Sequence, residues 1–253
     1  MRLDGQSAIV TGGASGLGAA TAQRLAGAGC RVAVLDINGK AVEASAQRIG
    51  GLGVACDVAD AASAEAAVAK AREAHGPARV LVNCAGVGVA GRIVGREGPM
   101  PLAAFEQVIR INLIGSFNLL RLAAADMGTL DPLEDSERGV IVNTASIAAF
   151  EGQVGQAAYA ASKGGVAALT LPAARELAQF GVRVMAIAPG LFLTPMLQEL
   201  PPEVQASLAA SIPFPRRLGR PEEFARLVLH IVGNCALNGE VIRLDGALRM
   251  QPK

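Results

Sequence analysis

The chain has no tryptophan, one tyrosine and two histidines in 253 residues. Metal chemistry is the first thing this scarcity excludes. His75 and His230 lie far apart, and Cys30, Cys56, Cys84 and Cys235 show no CxxC spacing, so no zinc ligand set can be drawn. Four cysteines without framework spacing read as free thiols in a reducing cytosol. Charge is scarce as well: 18% of residues are charged and the formal net charge is +1. Such a chain offers no long-range field to nucleic acid or to an anionic membrane. Its apolar runs are short and interrupted, and none reads as a membrane span. The opening Met1-Arg2-Leu3-Asp4-Gly5-Gln6 has no apolar core and leads into strand-like sequence, so no targeting peptide is expected. No internal repeat or low-complexity linker interrupts the chain.

What remains is a core-forming composition, with 51% of residues apolar. The length suits one α/β domain. Short β-branched runs alternate with longer Ala-rich stretches. Strands are expected at Ser7–Thr11, Arg31–Asp36, Val54–Asp57, Arg79–Asn83, Val140–Thr144, Val182–Ala188 and Glu240–Leu244. Helices are expected near 16–28, 39–49, 62–75, 102–125, 156–180 and 221–232. Strands that are apolar throughout, each followed by a helix, imply a doubly wound parallel seven-stranded sheet with helices on both faces. Two stretches break the alternation: 87–101, rich in Gly and Pro, and 189–220, with six prolines. Both follow strand C-termini, where open α/β sheets bind ligands, so they are candidate substrate walls rather than idle connections.

The first strand runs into a turn with Gly12, Gly16 and Gly18, and then a helix. Glycines there allow a tight turn and close backbone approach to a pyrophosphate. The helix N-terminus offers unpaired N–H groups and a positive dipole end. Asp36 ends the second strand, 24 residues after Gly12. A carboxylate there accepts from ribose hydroxyls and repels a 2′-phosphate, and Ile37 and Asn38 bring no cation, so NAD is expected rather than NADP. Asp57-Val58 and Asn83-Cys84-Ala85-Gly86 follow the third and fourth strands at the same sheet edge. Asp57 is a candidate for the adenine amino group and Val58 for the ring face; a helix N-cap is the other reading of Asp57.

Tyr159 and Lys163 stand one helical turn apart. Tyrosine occurs once, and lysine four times among 23 basic residues, so the pair is conspicuous. A free phenol titrates near pH ~10, too high for a base at neutral pH, and a nearby cation lowers that value. The same ammonium is placed to bond a nicotinamide ribose. Ser146 follows the fifth strand, 13 residues before Tyr159. Its hydroxyl is a donor to a substrate carbonyl oxygen; no histidine lies near it in sequence to make it a nucleophile. Asn112 sits within a helical pattern, where its amide is expected to hold a water linking Lys163 to solvent.

These residues together resemble the signature of the short-chain dehydrogenase/reductase family: the TGxxxGxG turn, the turn at 83–86, Asn112, Ser146, YxxxK and Pro189-Gly190, in the family order. The segments Gly139–Tyr159, Arg183–Leu193, Pro213–Gly219 and Asn238–Met250 further resemble the branch of that family that oxidises 3-hydroxyacyl-CoA and, in some members, hydroxysteroids. The resemblance implies a homotetramer that turns 3-hydroxyacyl-CoA into 3-oxoacyl-CoA with NAD. It implies cofactor contacts at Ser15, Leu17, Asp36, Asp57, Val58, Cys84, Tyr159, Lys163 and Phe192, with Ala85, Gly86, Pro189 and Thr194 in the same set, and substrate contacts at Ser146 and Tyr159. Mitochondrial members carry a longer N-terminus, so a bacterial, cytoplasmic relative is expected. The segment Gly91–Leu102 corresponds to an insertion of that branch but differs in sequence, which leaves chain-length preference open. Pro172 should cost its helix one backbone bond and bend it. Coenzyme A carries phosphates, and Arg92, Arg96, Arg216, Arg217 and Arg220 are candidate cations for them; Arg216–Arg220 are equally readable as structural. Two other functions remain: a hydroxysteroid or other secondary-alcohol dehydrogenase with 191–200 as an apolar wall, and an RNA-processing or other binding role. The latter finds no support in the charge pattern.

Overall fold

The computed structural model describes residues 1–252. Seven parallel strands form the sheet: β1 Ser7–Thr11, β2 Arg31–Asp36, β3 Leu52–Ala55, β4 Val80–Asn83, β5 Gly139–Thr144, β6 Val182–Pro189 and β7 Val241–Leu244. Their spatial order is β3-β2-β1-β4-β5-β6-β7. The order reverses between β1 and β4, which opens a crevice at the strand C-termini. A small antiparallel ribbon, Val94–Gly95 with Gly98–Pro99, stands apart from the sheet.

Two helical layers cover the faces. Helices α1 (Gly16–Gly27), α2 (Gly39–Ile49) and α9 (Pro221–Gly233) bury Ala22, Leu25, Val42, Phe224, Val228 and Ile231 against one face. In α9 the buried Phe224, Val228, Ile231 and Val232 recur at helical spacing and form one stripe. The other face carries α3 (Ala61–His75), α4 (Leu102–Ile109), α5 (Gly115–Gly128) and α6 (Ala157–Leu177). There Ala64, Val68, Leu119, Ala123 and Met127 close a second core. The central strands β1, β4, β5 and β6 are buried at every position, as a sheet covered on both sides requires.

The strands fall where the hydrophobic pattern puts them, except β3. It begins two residues earlier than expected, at Leu52, and includes Gly53. A β-carbon on Gly53 would stand 3.0 Å from the Glu43 Cα, so α2 presses on the strand and a larger residue would have to push it away. Propensity penalises glycine in strands, so nothing local in the sequence marks Gly53 as strand. The long helix predicted near 102–125 is broken by a π turn at Arg110–Ile114, between α4 and α5. By length and composition alone the run Leu102–Gly128 could cross a membrane, which the interrupted apolar runs had argued against; half of its most apolar window is buried, and α5 packs on α3 and the sheet. Helix α6 continues through Pro172. The stretch 189–220 is not structureless. It contains α7 (Pro195–Gln198) and α8 (Pro202–Ala210), each opened by a proline whose missing N–H costs nothing at a helix start.

Arg217 leads into α9 and grips Glu223 with two bonds of 2.8 and 2.7 Å. Those bonds hold the Glu223 carboxyl down at about 2, against an ordinary 4.5. A depressed carboxylate means the unfolded chain takes up its proton first, so the stabilisation is present above the ordinary value and lost as pH falls toward the native one. The melting-temperature gap between the parent and Glu223→Gln should therefore be widest near neutrality and shrink below about pH 4. A gap that stays constant down to acid pH would show that the pair's charge is idle.

Candidate active site

The C-terminal ends of β1, β4 and β5 hold the site together through backbone contacts. Thr11 Oγ1 accepts from both the Cys84 and Ala85 N–H groups at 3.1 Å. A β-carbon on Gly12 would meet the Ala85 nitrogen at 2.7 Å, and one on Gly18 would meet the Gly12 carbonyl oxygen at 2.2 Å. Close packing within the protein therefore requires glycine at both positions. Gly16 differs: its φ is +53°, and a β-carbon there would point toward Thr194 and Pro195. The second long loop therefore closes over the turn. Ser15 is exposed at the N-cap of α1 and has no side-chain cap bond.

Asp36 is fixed by two backbone donors, Ala14 N–H to Oδ2 and Asn38 N–H to Oδ1, both at 3.1 Å. A carboxylate has about four acceptor positions, so each oxygen keeps capacity for a ribose hydroxyl. The open helix N-terminus, the oriented carboxylate and the unsubstituted Gly16 and Gly86 fit a dinucleotide. Asp57 bonds the Ala59 N–H through Oδ1, while the N-cap of α3 is Asp60, not Asp57. Val58 is 7% exposed, and its side chain packs where a β-carbon on Gly115 would stand, so helix packing covers much of it. Phe192 is likewise buried, against Gly219. Leu17 is half-buried, Pro189 closes β6, and Thr194 sits at the N-cap of α7.

The polar residues Ser146, Tyr159, Lys163 and Asn112 come together around the first turns of α6. Lys163 is 4% exposed and donates to the Thr144 carbonyl at 2.7 Å. Its Nζ lies 5.8 Å from the Tyr159 ring centroid and 3.5 Å from where a β-carbon on Gly86 would be. Burial lowers the Lys163 pKa to about 8. Burial raises that of Tyr159, and the Ser146 hydroxyl opposes the rise. The Ser146 hydroxyl thus joins Lys163 as a group acting on the phenol, while the lysine faces the ring and the Thr144 carbonyl. Ser146 is buried, and its Oγ accepts from the Ala148 N–H at 3.1 Å, which caps the short 3-10 turn Ile147–Ala149. Cys84 stands beside this group; burial lifts its thiol to about 11, so it stays protonated.

Asn112 is fully buried in the π turn. Its Oδ1 accepts from the Val87 N–H at 2.8 Å, and its Nδ2 donates to the Val87 carbonyl at 2.9 Å and the Ser162 hydroxyl at 3.0 Å. The Ser162 hydroxyl donates in turn to the Tyr159 carbonyl at 2.7 Å. Both amide N–H groups are used, so the side chain pins the first turn of α6 to the turn after β4; holding a water is at most a task for its remaining acceptor capacity. Thr11, Thr144 and Ser162 were not singled out from sequence. Thr11 and Thr144 end their strands, and that position at the ligand edge was the available signal.

The family model described as short chain dehydrogenase matches residues 6–205. The chain belongs to the short-chain dehydrogenase family. It is accordingly an oxidoreductase built for a nicotinamide dinucleotide. It is 52% identical over 255 residues to the 3-hydroxyacyl-CoA dehydrogenase type-2 of Bos taurus, covering 98% of this chain and 97% of that one. The corresponding Drosophila melanogaster protein is 50% identical, with 96% and 97% covered. A crystal structure of 3-hydroxyacyl-CoA dehydrogenase type-2 from Mycobacterium avium superposes with a TM-score of 0.94 at 45% identity, covering 98% of each chain.

Proposed function

We propose that this short-chain dehydrogenase interconverts 3-hydroxyacyl-CoA and 3-oxoacyl-CoA with NAD, Tyr159 acting as the general acid and base. The observation that carries the reading is the buried Lys163 one turn from Tyr159, with the Ser146 hydroxyl against the phenol, in a chain half identical over nearly its whole length to dehydrogenases bearing that name. Ser146 donates a hydrogen bond to the substrate oxygen. Tyr159 takes the hydroxyl proton in oxidation and returns it in reduction. NAD, when bound, supplies the hydride acceptor. Lys163, with a pKa near 8, is charged at neutral pH and compensates negative charge on the phenol oxygen. Because burial raises the Tyr159 pKa, the phenol form dominates at neutral pH and favours proton donation to a carbonyl. Arg92, Arg96, Arg216 and Arg220 are exposed near the two long loops and suit the CoA phosphates, whereas Arg217 is engaged with Glu223.

The purified protein should reduce acetoacetyl-CoA with NADH, and oxidation of 3-hydroxybutyryl-CoA should quicken as pH rises while reduction slows. Tyr159→Phe should lower kcat by about 10²–10⁴. Turnover of hydroxysteroids without turnover of either acyl-CoA would replace the substrate, and full activity of Tyr159→Phe would remove the mechanism.

Specificity for NAD is assigned to Asp36, whose carboxylate is already oriented by Ala14 and Asn38. Asp36→Ser should improve kcat/KM with NADP relative to NAD by about tenfold or more, the equivalent of one lost repulsion of about 1.4 kcal/mol. An unchanged ratio would assign selectivity elsewhere.

Assembly as a homotetramer belongs to the same proposal. An apolar groove between α5 and α6, lined by Leu113, Ile114, Phe117, Gly165, Ala168 and Leu169, leaves Ile114 and Phe117 nearly half exposed. Contiguous apolar surface of this kind favours burial against another protein surface, here a second copy. Light scattering of Phe117→Arg should give a smaller mass than the parent; the parent mass retained would place the interface elsewhere. A cytoplasmic location suits four free thiols.

A further inference from the structure

The connection from Ser146 to Tyr159 carries both polar groups that face the substrate, and its outer side is held by the C-terminal segment. Glu151 is the hub. Its Oε1 accepts from Arg243 Nη1 at 2.8 Å, and its Oε2 accepts from Arg243 Nη2 at 3.2 Å and from the Met250 N–H at 3.1 Å. Arg249 Nε reaches Oε1 at 3.3 Å. Asp245, only 7% exposed, accepts from Arg243 Nε at 2.7 Å and Arg249 Nη1 at 3.3 Å. The Arg243 guanidinium also stands 5.6 Å from the Phe150 ring centroid. Further along, Gln153 Nε2 donates to the Gln251 carbonyl at 2.7 Å, and the Val154 N–H donates to the Pro252 carbonyl at 3.0 Å. On the opposite side the Gly91 N–H donates to the Gly155 carbonyl at 2.8 Å.

The charges alternate, and Arg243 is anchored in β7 opposite Ala188 of β6. The cluster thus ties the connection to the rigid sheet rather than to another loop. Ser146 caps the 3-10 turn that runs directly into Phe150 and Glu151. A shift of Glu151 therefore moves the turn whose N–H the serine hydroxyl accepts. A bidentate guanidinium–carboxylate pair fixes direction as well as distance.

We propose that Glu151 and Arg243 are positioning residues, whose ion cluster clamps the C-terminal segment onto the Ser146–Tyr159 connection and sets the serine hydroxyl against the tyrosine phenol. The inference rests on the proposed roles of Ser146 and Tyr159. A hydroxyl displaced by a fraction of an ångström bonds the substrate oxygen less well, and such misplacements cost rate. Neither Glu151 nor Arg243 is among the residues assigned to the cofactor, and the nearest of those, Pro189, is held in β6 by its own ladder to Leu244, so NAD affinity is expected to change little. The Ser146 contact opposes the burial-driven rise of the tyrosine pKa, so its loss has a pH signature as well.

Glu151→Gln, Arg243→Lys and the double variant test this in the full-length enzyme. Glu151→Gln keeps the volume and an acceptor for Met250 but loses the charge; Arg243→Lys keeps the charge but loses the fork. We expect kcat to fall about tenfold or more in Glu151→Gln with the NAD dissociation constant within about twofold of the parent. The rising limb of the oxidation pH profile should move to higher pH. The double variant should lose no more than the worse single one, since both remove one clamp. A folded Glu151→Gln enzyme with parental kcat and pH profile overturns the inference. So does a loss of kcat matched by lost NAD affinity with an unmoved pH limb, which marks general loosening. If Arg243→Lys fails to fold, Glu151→Gln alone decides. Tyr159→Phe separates the two readings: full activity there removes the proposed reaction, whereas an inactive Tyr159→Phe beside a fully active Glu151→Gln removes only the clamp.

Discussion

The Lys163 ammonium is buried and reaches the Thr144 carbonyl at 2.7 Å. A charge in such a place is costly unless it is paired or hydrogen-bonded. Much of the surrounding site satisfies that demand. β5 ends so that its last carbonyl faces the lysine. Gly86 has no side chain, because one there would stand 3.5 Å from Nζ and 3.1 Å from Asn112 Oδ1. The Tyr159 ring lies one turn away on the same helix, which fixes phenol and ammonium together. The residual cost shows in the lysine's lowered pKa. Negative charge developing nearby would stabilise this poorly solvated cation, which is what a proton-transferring tyrosine needs beside it.

Around this cation the sheet edge is knit by polar contacts, although Asn83 Oδ1 and Asn143 Nδ2 stand buried without a partner among the described residues. Thr11 stitches β1 to the turn after β4, Asn83 joins Asn143 across β4 and β5 at 2.9 Å, and Asn112 ties that turn to α6 through Ser162. Each of these groups is buried, so each missing bond would leave an unsatisfied polar atom costing on the order of 1–3 kcal/mol. The same bonds that stabilise the crevice therefore hold its reacting groups. Outside that knot, the C-terminal segment reinforces the Ser146–Tyr159 connection at the same edge through Glu151 and Arg243.

Much of this was legible in the sequence, for identifiable reasons. Buried parallel strands read as uninterrupted apolar runs, and β1 and β2 begin and end at the expected residues. Asp36, Ser146 and the Tyr159–Lys163 pair stand out because strand ends and helical spacing place them at one edge. Other features were hidden. Gly53 lies inside a strand because α2 presses on it, a contact remote in sequence. Val58 and Phe192 turn inward because Gly115 and Gly219 leave room for them. The π turn at Asn112 leaves no mark in hydrophobic periodicity. Helices α7 and α8 begin at prolines, which sequence reasoning takes as signs of loop.

The sequence by itself determined the doubly wound class, the strand ends that meet the ligand and the chemical types available there, because these follow from periodicity and spacing along one chain. Which groups touch was decided only by tertiary structure. Glycine spacing could not say that Gly12 and Gly18 serve internal packing while Gly16 faces the second loop. Helical spacing could bring Lys163 beside Tyr159, but not beneath the Thr144 carbonyl. The salt links from Glu151 to Arg243 and Arg249 join residues nearly a hundred positions apart. Their partners are chosen by the packing of β7 beside β6, and no local pattern records that choice.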